Sequence, residues 1–107
     1  MRFGHAIVPM DEALAEVAVD FSGRPFLAWS VPFGRPKVGT FDTELFEEFF
    51  RALAINAAVT LHVTLRAGTN AHHAAEACFK ATARALRMAL ERDPRVGDAV
   101  PSTKGAL

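Results

Sequence analysis

The sequence predicts an α+β fold: a two-layer sandwich in which two helices lie on one face of a four-stranded, mostly antiparallel sheet. Three observations predict it. Residues 12–20, EALAEVAVD, place Ala13, Ala15, Val17 and Val19 on one parity and Glu12, Leu14, Glu16, Ala18 and Asp20 on the other, the alternation of a half-buried strand. Residues 42–58, DTELFEEFFRALAINAA, change period. Leu45, Phe46, Phe49, Phe50 and Leu53 take one side and Glu44, Glu47, Glu48 and Arg51 the other, as on an amphipathic helix. Residues 59–65, VTLHVTL, then return to β-branched alternation.

The remaining elements fall in order around these. FGHAIVP, residues 3–9, reads as a short strand closed by Pro9. SGRP, Ser22 to Pro25, is a turn signal, and FLAWSVPF, residues 26–33, the next strand, with Pro32 marking its end or a sheet edge. GRPKVGTFD reads as a loop, and Asp42 or Thr43 as the N-cap of the first helix. RAGTN turns the chain into an Ala-, Leu- and Arg-rich helix over 71–92, stopped before Pro94. The tail from Arg95 has no period. The order is β-β-β-α-β-α, with residues 1–107 forming one domain and no internal repeat.

Composition narrows the function. Half of the 107 residues are hydrophobic, so a packed core is available. Lys plus Arg and Asp plus Glu number 12 each, so no global field favours nucleic acid or anionic lipid. One cysteine, Cys78, permits no internal disulfide and points to a reducing, cytoplasmic compartment. The first residues lack the apolar core of a signal peptide, and no run approaches the roughly 20 apolar residues of a membrane helix. The expectation is a soluble protein that binds neither nucleic acid nor membrane.

Chemistry concentrates in NAHHAAEACFKA, Asn70 to Ala81, which holds two of the four histidines. On a helix His72 and Glu76 are i, i+4 and His73 and Glu76 are i, i+3, so both pairs can converge. Imidazole nitrogen and carboxylate oxygen suit Mn, Fe or Zn. Adjacent histidines point about 100° apart, so two metals sharing the neighbourhood of Glu76 would use both. The alternative is a surface helix start with ordinary His–Glu contacts. His62, in the strand across the RAGTN turn, is expected to join His73 and Glu76 as a third ligand, or else to face solvent from the sheet. Lys80 is either an anion partner beside that metal or part of a solvated face with Arg84 and Arg87. PSTKG, Pro101 to Gly105, carries hydroxyls, amides and an ammonium that suit a phosphate. Asp11 and Glu12 read as solvated adjacent acids, Arg2 as a terminal cation, and His5 as a strand residue without a ligand partner. Cys78 and Trp29 read as core.

Several of these segments resemble one family. PMDEALAEVAVDFSGRP, FDTELFEEFFRALAINA, TLHVTLRAGTNAHH, NAHHAAEACFKA and PSTKGAL are similar, in this order along the chain, to imidazoleglycerol-phosphate dehydratase of histidine biosynthesis. The resemblance implies a ribosomal protein S5 domain 2-like unit, duplicated in the family, of which this chain corresponds to the second, C-terminal repeat. It implies a carbon–oxygen lyase that removes water from imidazole glycerol phosphate to give imidazole acetol phosphate. It also implies two Mn2+ ions per site, held by residues from different subunits of a large oligomer.

Carried over position by position, the resemblance makes His62, His72, His73 and Glu76 metal ligands. It makes Arg2, Lys80, Ser102 and Lys104 holders of the substrate phosphate, and places Glu12 at the equivalent of a catalytic glutamate. Because the family chain is about twice as long, two expectations stand side by side. One is a dehydratase half that completes itself as a homo-oligomer, two copies imitating the duplicated enzyme. The other is a folded, self-associating metal-binding half-domain without turnover.

Overall fold

The alternating segments become strands, and each turns its apolar parity to the same side. A computed structural model describes residues 2–32, 37–38 and 41–91. Its elements run β1 (Phe3–Met10), β2 (Ala13–Asp20), β3 (Phe26–Ser30), β4 (Lys37–Val38), β5 (Phe41–Asp42), α1 (Glu44–Ala57), β6 (Thr60–Ala67) and α2 (Ala71–Leu90). The four long strands form one sheet in the order β1-β2-β6-β3, with β4 and β5 a separate ribbon. β1 pairs with β2 and β2 with β6 antiparallel, whereas β3 pairs with β6 in parallel. A parallel pair needs a crossover, which the segment carrying α1 supplies.

Registered rows build the core. Leu27, Leu61, Val19 and Gly4 are neighbours across the sheet, and so are Trp29, Val63, Val17 and Ala6. On β2 all of Ala13, Ala15, Val17 and Val19 are buried, the parity read from the sequence. The opposite parity carries the row Ala28, His62, Ala18 and His5, on the face the helices leave open.

α2 covers β1 and β2 with a face of small residues. Ala74, Ala77, Cys78, Ala81, Ala85 and Ala89 are buried there. Their size lets the helix backbone approach closely, and Gly4 is the sheet's answer to it. A Cβ at Gly4 would run into the carbonyl oxygen of Ala85 and the amide of Ala89. Within α2 the buried hydroxyl of Thr82 donates to the Cys78 carbonyl, 2.8 Å away, so its burial leaves no unmet polar group.

α1 packs through Phe50, which is fully buried. Its ring lies 5.2 Å from Trp29 and 5.1 Å from Phe79 of α2. This ring cluster joins the two helices to the β3 side of the sheet. Phe49, Leu45 and Phe79 remain exposed on the helix layer.

The ends of elements differ from the sequence reading in small ways. Thr43 takes the cap position of α1 with helical backbone, while Asp42 Oδ1 accepts the N–H of Glu44 at 3.1 Å. The β4–β5 ribbon lies where a loop was expected. β3 stops at Ser30, ahead of Pro32, and α2 stops at Leu90, with Glu91 already extended. No helix among the described residues is long and apolar enough to cross a membrane.

Candidate functional site

The β1–β2 hairpin closes in two residues, Asp11 and Glu12, with Asp11 at φ 53°. Aspartate tolerates that left-handed backbone better than most residues. The turn aims Glu12 at the start of α2. Glu12 Oε2 accepts the backbone N–H groups of Thr69 and Asn70 at 2.9 and 2.7 Å, and Glu12 Oε1 stands 2.8 Å from His73 Nδ1. Asn70 caps α2 from an extended backbone, its Oδ1 accepting the N–H of His73 at 3.0 Å. Glu12 therefore satisfies the N–H groups of the two residues leading into α2, and Asn70 satisfies a first-turn donor that would otherwise lack a partner.

These bonds set the charges. Glu12 is lowered to about 2, first by the Asn70 N–H, then by His73 and the Thr69 N–H. All of them favour the carboxylate. His73 is raised, chiefly by its hydrogen bond to Glu12, against desolvation and with help from the charges of Glu12, Asp11 and Glu76. The other ring nitrogen, Nε2, lies 3.3 Å from Asp11 Oδ2.

His72 turns the other way. Its Nε2 is 3.5 Å from Glu76 Oε1, and Glu76 Oε2 is 3.0 Å from Lys80 Nζ. Glu76 is lowered first by the Lys80 hydrogen bond, then by the charges of Lys80, His72 and His73. Phe46, Ala75 and Phe79 complete, with these three polar residues, a cavity of 370 Å³ between α1 and α2. The two imidazoles are 6.2 Å apart at an interplanar angle of 63°. One helix turn thus presents two imidazoles and a carboxylate in diverging directions, a donor set that fits Mn, Fe or Zn.

His62 does not join them within one chain, contrary to the expectation from sequence proximity. The reason is strand parity. Leu61 and Val63 are buried beneath the helices, so His62 between them faces the open side of the sheet. There its ring lies 6.1 Å from Phe26, beside a hollow of 340 Å³ lined also by Phe3, His5, Asp20 and Thr60. Among the described residues of a single chain, no group of three or more His, Cys, Asp or Glu is arranged to hold a metal ion.

The expected phosphate cluster is likewise divided. Arg2 Nε donates to Asp20 Oδ1 at 2.8 Å, before β1, while Lys80 binds Glu76 on α2. Ser102 and Lys104 lie outside the described residues. Glu12, expected from the resemblance as a catalytic carboxylate, has both oxygens engaged by α2 and His73. That geometry suits holding those groups rather than passing a proton.

Asp11 and Asn70 were missed as site residues. A signal existed for each: an acidic pair in a two-residue turn, and an Asn directly before an alanine-rich helix.

Comparison with known proteins matches residues 1–86 to the family model of imidazoleglycerol-phosphate dehydratase. The chain belongs to the imidazoleglycerol-phosphate dehydratase family. Its relatives of that name include one from Granulibacter bethesdensis, 80% identical over 106 residues, covering 99% of this chain and 54% of the relative. Another, from Gluconacetobacter diazotrophicus, is 70% identical with the same coverage.

Among solved structures of the family, imidazoleglycerol-phosphate dehydratase from Staphylococcus aureus subsp. aureus N315 matches with a TM-score of 0.84 at 55% identity. That match covers 86% of this chain and 54% of the other. The Pyrococcus furiosus protein, solved in complex with (S)-C348, matches with a TM-score of 0.82 at 42% identity, covering 99% of this chain and 57% of the other. The chain spans about half the length of the relatives it matches.

Proposed function

We propose that this chain is one half of a metal-dependent dehydratase acting on imidazole glycerol phosphate in histidine biosynthesis, and that its site closes between chains. The observation that carries the reading is the division of the ligand residues. His72, His73 and Glu76 project from the start of α2, and His62 projects from the opposite face of the sheet. In this reading His72, His73 and Glu76 of one chain hold Mn2+ together with His62 of another. Bound Mn2+ would supply Lewis-acid and template chemistry.

The chain's own residues then bind and orient. Lys80 is placed beside Glu76 and keeps N–H donors beyond the one Glu76 accepts. Arg2 likewise keeps guanidinium donors beyond its Nε bond to Asp20. Lys80 and Arg2, joined by Ser102 and Lys104, hold the substrate phosphate from more than one chain and supply orientation. The apolar wall of Phe46 and Phe79 limits water beside His72 and Glu76.

The reading predicts a homo-oligomer, in the cytoplasm, built on pseudo-duplicated dimers. The test is turnover of imidazole glycerol phosphate by the purified chain with added Mn2+, against His73→Ala. Mass and metal content are measured on the same sample. Turnover abolished by the substitution supports the reading; none in a metal-loaded oligomer refutes it for this chain alone.

A second reading is a self-associating metal-binding half-domain without turnover. The engagement of both Glu12 oxygens favours it, because a carboxylate tied to two backbone N–H groups and an imidazole is not free to carry a proton.

A further inference from the structure

We propose that Glu12 is a positioning residue: it locks His73 in the Nδ1–H tautomer and so presents Nε2 as a bare lone pair to a divalent cation. The inference rests on the reading of His73 as a metal ligand. Two backbone donors, Thr69 N–H and Asn70 N–H, converge on Glu12 Oε2 and fix the carboxylate against the start of α2. Oε1 then has one orientation, 2.8 Å from His73 Nδ1. An ionised carboxylate can only accept, so the proton between them resides on Nδ1. The neutral ring therefore has its lone pair on Nε2.

The surroundings of Nε2 agree. Its near neighbour is Asp11 Oδ2 at 3.3 Å, another acceptor, on an exposed turn. Two acceptors at that separation call for a positive species beside them, either a proton or a metal ion. A carboxylate behind a ligating imidazole also raises its basicity and fixes its ring plane.

Two substitutions separate this role from simple helix capping. In Glu12→Gln the amide oxygen must serve the two backbone N–H groups, so its NH2 faces His73 Nδ1. That forces Nδ1 to accept and moves the ring proton to Nε2, where it blocks ligation. Glu12→Ala removes the carboxylate that holds the Thr69 and Asn70 N–H groups, with Asn70 still capping α2, but leaves His73 free to adopt either tautomer. A capping role predicts that Ala is the more damaging change; tautomer control predicts that Gln is.

The experiment uses the full chain in two measurements. Long-range 1H–15N spectra of the metal-free protein at mildly alkaline pH report the His73 tautomer, and paramagnetic resonance of free Mn2+ during titration reports affinity. The expected result is Nδ1–H in the unaltered chain and Nε2–H in Glu12→Gln. Mn2+ binding should fall on the order of 10–100-fold in Glu12→Gln and by less in Glu12→Ala. Binding by Glu12→Gln equal to that of the unaltered chain overturns the Glu12 assignment alone. So does an unaltered chain whose His73 carries its proton on Nε2. Absence of Mn2+ uptake by the unaltered chain overturns the metal reading, and with it the cation half of this inference.

Discussion

Glu12 Oε1 stands 2.8 Å from His73 Nδ1, joining a hairpin turn to a helix start 61 residues later in the chain. This bond ties the orientation of a candidate ligand to the closure of the fold, and its consequences for pH can be worked out with their signs.

Glu12 is lowered to about 2 from an ordinary 4.5, so its contribution to stability is present above 4.5 and is lost as pH falls through about 2. His73 is raised above its ordinary 6.5, so its contribution is fully present below 6.5 and is lost as pH rises through the folded-state value. The pair therefore stabilises most between about 4.5 and 6.5. Thermal melts across the acid limb should show Glu12→Gln losing less stability on acidification than the unaltered chain. Equal slopes in the two proteins would count against the contact.

Metal uptake should run the other way at His73. Ligation needs a neutral imidazole, so Mn2+ affinity should climb as pH rises through the raised His73 value. Titrations at several pH values check this, and a pH-independent affinity would exclude His73 as a ligand.

At Gly4 the sheet and α2 approach so closely that an added Cβ would meet the Ala85 backbone. Because the obstruction is main chain rather than a movable side chain, Gly4→Ala should destabilise by about 1–3 kcal/mol or more. Urea unfolding with an unchanged m-value would register it. A cost near zero would mean that α2 moves away freely.

Among the described residues Phe50 is the largest fully buried side chain, and it touches both Trp29 and Phe79. Phe50→Ala should cost about 3–5 kcal/mol. Phe49, by contrast, is 52% exposed, and in a chain that self-associates through its helix layer it is an interface residue. Phe49→Lys loses ring contacts with Phe50 and Phe79 and should cost about 1–2 kcal/mol, less than Phe50→Ala, while shifting the mass in light scattering toward the monomer. A monomeric unaltered chain at micromolar concentration would contradict self-association.

Cys78 is buried on the seam of α2, and burial pushes its thiol up to about 12. The thiolate is the reactive form, so alkylation by iodoacetamide should be slow in the native chain and fast in denaturant. Fast native labelling would show that α2 opens.

Much of the architecture was legible from pattern alone. Alternation at Ala13, Ala15, Val17 and Val19 assigned the buried face of β2, and the spacing of Phe46, Phe49, Phe50 and Leu53 assigned α1. These succeed because they depend on the 2.0 and 3.6 periods of the backbone, which are local. His72, His73 and Glu76 were readable on one helix turn for the same reason. Position in sequence could not decide what meets across elements. His62 is ten residues from His72, yet strand parity sends it to the other face. Glu12 and His73, far apart in the chain, touch because the Asp11–Glu12 turn and the start of α2 reach the same end of the sheet. Such contacts are set by register and by how closely Gly4 and the alanines of α2 let the layers approach, quantities that arise only when strands and helix are packed together.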